Sequence, residues 1–337
     1  MSLREDLQAT LREDLQAALD GKAKPLGSLG RIESLAMQLG LIQGTLRPTV
    51  EPVVLVFAGD HGAAPGVSAY PSSVTAAMVG AYLSGRAAVN LFAAQARARL
   101  LVVDAGVAAD LPPHPGLVSA KVRPGARDWR TGPAMTAAEL DQALGAASAL
   151  VDRLVDEGCT VLALGEMGIG NTASAALLVH KAAGLDLDCL TGRGAGLDDA
   201  GLARKRAAMA AGSARTTLRL PPRDALIEYG GYEIAMLAGA ILRASERQVC
   251  VLVDGVIVTA AAVLAHALQP DCLHACIFAH RSAERSHDLM LAHFGAAPLL
   301  DLGMRLGEGT GAALAIPLLR AAAAVLSGMV DLRDLLA

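Results

Sequence analysis

Four apolar runs along this chain each end in glycine or aspartate: VVLVFAGDHG (53–62), LLVVDAGV (100–107), TVLALGEMG (160–168) and VCVLVDGV (249–256), with CIFAHRS (276–282) as a fifth. A strand that is rich in valine and leucine on both faces has no side to turn to water. Such strands belong to a parallel sheet covered by helices on both faces. Helix-like segments follow each run and supply the crossovers, so the expected fold class is α/β with a doubly wound parallel sheet. Ligands of such sheets lie beyond the carboxyl ends of the strands, which is where Asp60, His61, Asp104, Glu166 and Asp254 fall.

A length of 337 residues suits two domains, or one large domain with an extension. No Ser/Pro-rich linker divides the chain. The expected division is a large α/β domain over 49–294 and a smaller helical domain assembled from 1–48 plus 295–337. Residues 3–9 and 11–17 both read LREDLQA, a repeat suited to a charged helix. With 29 basic and 33 acidic residues and no run of like charge, the chain has no electrostatic footprint for nucleic acid or anionic membrane. Aromatics at 3% leave no base-stacking platform. The apolar stretches are broken by Asp254 and His266, or by Pro317 and Arg320, before reaching the ~20 residues of a membrane span. Five cysteines, an odd count in a chain this size, read as free thiols. The opening MSLREDLQ is acidic where an export signal is basic and then apolar. These features together predict a cytoplasmic protein.

Three glycine-rich segments carry candidate chemistry. In the first, a strand runs into Gly165-Glu166-Met167-Gly168-Ile169-Gly170-Asn171-Thr172-Ala173 and then a helix. Glycines let backbone approach a ligand, and a helix N-terminus offers free amides to a phosphate. The same residues also suit a tight turn with Asn171 or Thr172 as an ordinary N-cap. The second segment, 191–196, leads into a helix started by Asp198 or Asp199, with Lys205 two turns inside as either an anion ligand or a solvated lysine. The third, 302–311, sets Glu308 between glycines and apolar neighbours. Burial there would raise its pKa and favour a general base, although a carboxylate capping the next helix fits as well.

Gly168-x-Gly170-x-x-Ala173 formally matches a dinucleotide fingerprint, so an NAD(P)-binding oxidoreductase is a rival reading. Its context is wrong, because Asp186 and Asp188 do not end a second apolar strand and Glu166 would repel a pyrophosphate. Cys272, His274, Cys276, His280 and His287 suggest metal ligands, but a strand would array the first three along one face, which rarely closes a tetrahedron. No metal is expected. His61 is either catalytic or a satisfied strand-end histidine.

The segments KPLGSLGRIESLAMQL (24–39), FAGDHGAAPGVSAYPSSVTAAMV (57–79), LGEMGIGNTASAAL (164–177), TGRGAGLDDAGLARK (191–205), GGYEIAMLAGAI (230–241), HRSAERSH (280–287) and LDLGMRLGEGTGAALAIPLLRAA (300–322) together resemble one family. It is the nicotinate-nucleotide:dimethylbenzimidazole phosphoribosyltransferases of cobalamin nucleotide-loop assembly. The blocks keep the family order over nearly the whole chain. Leu26, where the family more often has a second proline, and the LREDLQA duplication depart from it.

The resemblance implies transfer of phosphoribose from nicotinate mononucleotide to dimethylbenzimidazole, with inversion at the anomeric carbon and no cofactor. It makes Glu308 the base that takes the benzimidazole proton, and Glu166 and Gly168 neighbours of the ribose. Lys205, Ser282 and the backbone through Ile169, Asn171 and Thr172 would hold the phosphoribosyl part. Leu306, Met167 and the segment from Ser72 to Met78 would line the acceptor pocket. It further implies a Rossmann-like sheet and a homodimer. A non-catalytic benzimidazole-binding paralogue is a further alternative.

Overall fold

The computed structural model describes residues 3–337, with side chains from residue 7. Met1 and Ser2, the start of the acidic opening and of the expected terminal domain, lie outside the described residues.

Among the described residues six strands form one sheet: β1 (Pro52–Gly59), β2 (Arg99–Gly106), β3 (Leu117–Ser119), β4 (Val161–Met167), β5 (Cys250–Val253) and β6 (Cys276–Phe278). Every pairing is parallel and the order is β3-β2-β1-β4-β5-β6. The α/β expectation holds, with β3 added. That strand is three residues long and pairs only at the edge, beside β2, so it makes no apolar run to read. The order reverses between β1 and β4, which opens a crevice at their carboxyl ends. There Phe57 pairs with Glu166 and Ala58 with Met167.

Alternate strand residues enter two cores. Leu55, Phe57, Leu162, Leu164, Val251 and Val253 face one, with the helices Ala137–Asp156, Asn171–Ala183, Tyr232–Glu246 and Val256–Leu268. Val54, Val56, Ala58, Ala163 and Leu252 face the other. Each larger side chain among them contributes about 1.5–3 kcal/mol by leaving water.

The second face is covered by helices from the two chain ends, Leu3–Asp20, Arg31–Gln43 and Thr310–Gly328, together with Ser73–Leu83 and Ala88–Gln95. Arg31 ties the ends together by donating to the carbonyls of Pro298 and Ala297. The duplicated heptapeptide lies in the first helix, and its two copies meet different surroundings. Leu15 of the second copy is fully buried, whereas Leu7 of the first is 64% exposed. Thr310–Gly328 is long and apolar enough to cross a membrane by length and composition, yet half of it is buried inside the fold.

One local expectation fails. Residues Pro270–Ala275 form a 3-10 helix led by proline rather than an extended strand, so Cys272 and Cys276 are buried while His274 is only partly covered.

Candidate active site

At the end of β4 the chain turns through Gly168 and Gly170 into the helix Asn171–Ala183. The N-cap is Gly170, at φ 95°, rather than Asn171 or Thr172. A glycine there supplies no capping side chain; the Asn171 amide donates to Gly168 O and the Ala173 amide to Gly170 O, both at 3.1 Å, so a ligand meets the first turn chiefly at Thr172. Ile169 N–H donates to the buried Thr75 hydroxyl at 3.2 Å, which pins the loop to the helix Ser73–Leu83. The Asn171 side-chain amide donates to the Glu166 carboxylate.

Glu166 is nearly buried, and its pKa is pushed up to about 8. Burial is the largest cause, opposed by the Asn171 hydrogen bond and reinforced by the charges of Glu233, Asp254 and Glu308.

Glu308 reaches the same place from the far end of the chain. It adopts φ 63° between Gly307 at 86° and Gly309 at 83°. Left-handed backbone costs a residue with a β-carbon about 1–3 kcal/mol, so the surroundings must hold it. Asp254 does so by accepting from Gly309 N at 3.1 Å and Ala312 N at 2.9 Å. Asp254 therefore caps the Thr310–Gly328 helix, and the Glu308 carboxylate is left for other work. Below the loop, β4 must be glycine: a β-carbon on Gly165 would collide with the Gly309 amide nitrogen. The Glu308 pKa is raised by burial and by Asp254, against the pull of the Tyr82 hydroxyl facing it.

Between these walls lies a cavity of about 600 Å³. Glu166, Met167, Gly168, Ile169, Asn171 and Thr172 line it, together with Ser282, Leu306 and Glu308. The Glu166 carboxylate reaches the glycine next to Glu308, since a β-carbon on Gly307 would stand 2.6 Å from Glu166 Oε1. Tyr70, Val74 and Met78 supply an apolar wall. Ser72 sits at the head of that helix as its N-cap, and its own side chain is not on the wall.

Lys205 stands behind the wall rather than in water. It is 1% exposed, and its ammonium donates to Thr172 Oγ1 at 2.8 Å and Gly192 O at 3.1 Å. Burial lowers its pKa to about 8, with Glu284 pulling the other way. Ser282 N–H donates to His287 Nδ1 at 2.9 Å, so the His287 proton lies on Nε2, which contacts Thr259 Oγ1. Burial brings the pKa of His287 down to about 4, which keeps the ring neutral.

Not every strand-end acid faces the cavity. Asp60 accepts from Ala108 N, and Asp104 accepts from Val107 N beside Lys121. His61 is buried against Glu233 and Ser174. Thr75, Tyr82, Ser174 and Glu233 were not singled out from the sequence; the one local hint was the GGYE turn, an acid just after two glycines at a helix start. Asp186 caps the short helix Leu187–Leu190 instead of ending a strand, which removes the dinucleotide reading. Among the described residues no group of three or more His, Cys, Asp or Glu is placed to hold a metal ion.

A family model described as Phosphoribosyltransferase matches residues 5–334. A nicotinate-nucleotide:dimethylbenzimidazole phosphoribosyltransferase from Aromatoleum aromaticum is 53% identical over 313 residues, 92% of this chain and 91% of that relative. One from Cupriavidus necator is 53% identical over 331 residues, 97% of this chain and 93% of the relative. The crystal structure of CobT from Thermus thermophilus superposes with a TM-score of 0.92 at 41% identity, covering 97% of this chain and 98% of that one.

Proposed function

The chain belongs to the phosphoribosyltransferase family that these relatives represent, and on that premise we propose how its cavity carries out the transfer. The reaction moves the phosphoribosyl group of nicotinate mononucleotide onto dimethylbenzimidazole in cobalamin biosynthesis, giving α-ribazole 5′-phosphate and nicotinate. One observation carries the reading: two buried carboxylates, Glu166 and Glu308, converge on one cavity beside an uncapped helix N-terminus.

The phosphate docks at the helix start beside Ile169, Asn171 and Thr172, taking the Thr172 amide while the Ile169 and Asn171 amides hold the loop through Thr75 and Gly168, with Lys205 behind and Ser282 lining the same cavity. Lys205 works as a point charge through Thr172 and the Gly192 carbonyl. The flat acceptor packs on Met167, Leu306, Val74 and Met78, an apolar surface with soft methionines. One benzimidazole nitrogen attacks C1′ while the C1′–N bond breaks and its electron pair returns to the pyridine ring. The N–H proton of the other nitrogen passes to Glu308. Burial makes Glu308 a stronger base than a solvated glutamate. With its pKa near 8, Glu166 favours its protonated form at neutral pH before the nucleotide binds. The pyridinium charge of the arriving nucleotide favours its ionised form, so binding expels that proton, and the carboxylate then faces the positive charge developing on C1′.

In this reading residues 1–48 plus 295–337 act as the smaller unit that delivers the Glu308 loop to the 49–294 domain. The protein works as a cytoplasmic homodimer. Exposed Leu335 and Leu336 near the C-terminus support a further contact, and free cysteines support a reducing compartment. Sedimentation of the purified chain tests the dimer. The function is tested by chromatography of nicotinate released with and without dimethylbenzimidazole. Acceptor-dependent release with α-ribazole phosphate formed supports it; binding of the base without any turnover would make the chain a carrier.

A further inference from the structure

A buried network that no step above uses lies one glycine beneath the reacting centre. His61 places Nε2 2.5 Å from Glu233 Oε1 and Nδ1 3.0 Å from Ser174 Oγ. Glu233 and Ser174 are fully buried, and Glu233 Oε2 has no hydrogen-bond partner among the described residues. Glycine backbone packs closely around that carboxylate. A β-carbon would stand 2.7 Å from Oε2 on Gly59, 2.5 Å from it on Gly231, and 3.2 Å from Oε1 on Gly168. Gly168 is itself cavity wall.

A buried carboxylate without a counter-charge takes up a proton. Here burial disfavours charge on His61, yet Glu233 and then Asp60 outweigh it and raise the His61 pKa, which favours the charged ring beside the Glu233 carboxylate. We propose that Glu233, paired with His61, is a positioning residue for the transfer, whose carboxylate acts across the Gly168 backbone to hold the proton on Glu166 until the cationic substrate arrives. The inference rests on the reading that Glu166 faces the reacting carbon. The other charges facing Glu166 are Asp254 and Glu308, with the Asn171 amide opposing all three.

The test is calorimetry of nicotinate mononucleotide binding at pH 7 in buffers of different ionisation enthalpy, together with the pH dependence of kcat/KM. The native protein releases about one proton per nucleotide bound, and its kcat/KM rises with pH as Glu166 ionises. Glu233→Gln releases markedly less, and its rise moves about one pH unit lower, a gain of roughly tenfold on the acid side. Glu233→Asp keeps the charge and the native behaviour. His61→Gln removes the partner that faces the Glu233 carboxylate, so its limb moves the same way as in Glu233→Gln and carries the test if the latter does not fold. Folded variants with native proton release and an unmoved limb overturn the proposal. If instead Glu166→Gln releases as many protons as the native chain, the released proton is not on Glu166 and both readings fall, whereas lost release in Glu166→Gln with unmoved Glu233 variants overturns this proposal alone.

Discussion

Glu166 and Glu308 share a cavity but reach it by opposite means. Glu166 sits on β4, a strand paired in register with parallel neighbours on both sides, so its backbone is held by the sheet. Glu308 sits on a loop of three successive left-handed residues that no sheet supports. Its position comes from contacts distant in sequence: Asp254 holds Gly309 and Ala312 by their amides, and Gly165 leaves room beneath. The difference separates two tasks. The strand-borne acid has a fixed place and a protonation state tuned by neighbouring charges, while the loop-borne base has its place set by a clamp.

Glu308→Gln strikes the loop side at its chemistry. The amide cannot take the benzimidazole proton, so kcat falls by about 10²–10⁴-fold while nicotinate mononucleotide still binds; steady-state assay with direct binding measurement checks both. Gly165→Ala joins the two sides, because the new β-carbon meets Gly309 N and must push the loop away. The expected loss is about tenfold to a hundredfold in kcat. Retained activity would show that the loop is not clamped from below.

Glu166→Gln addresses the strand side through pH. Its folded pKa, about 8, lies above that of an unfolded glutamate, so the folded state binds the extra proton between these values. Stability from this group is therefore greatest at low pH and declines as pH rises toward 8, by up to about 1.4 kcal/mol per unit. The variant should show a flatter Tm between pH 5 and 8 than the native chain. An unchanged slope would assign that pH dependence to other acids. Tyr82→Phe gives the smallest effect. Losing the hydroxyl that faces Glu308 raises the pKa of the base, so the acid limb of kcat, read in the bound complex where Glu166 is already ionised, moves up by a fraction of a unit, with kcat at pH 8 altered a few-fold at most.

The strand-borne half was the more legible. An apolar run ending in Gly165-Glu166 marks both a strand and the place where a ligand would lie, since period and strand-end chemistry are local properties. Spacing alone shows Glu308 as a carboxylate among glycines, with capping an equal reading, and the motif resemblance alone points to it as the base; the structure gives the capping to Asp254. Lys205 looked like a lysine on a polar helix, and its burial behind Thr172 depends on how that helix docks. Glu233 and Ser174 carried no local signal as partners of His61, which lies 172 and 113 positions away from them.

The sequence by itself determined the parallel sheet, the strand ends where chemistry gathers and, through ordered motif blocks, the family. Hydrophobic period and glycine placement are written residue by residue, and a fold that buries two-faced strands has few other solutions. Only the tertiary structure decided which acids face the cavity, which hold loops, and which carry a proton. Those properties follow from desolvation and from charges brought together across the whole chain, and neither exists until the chain has folded.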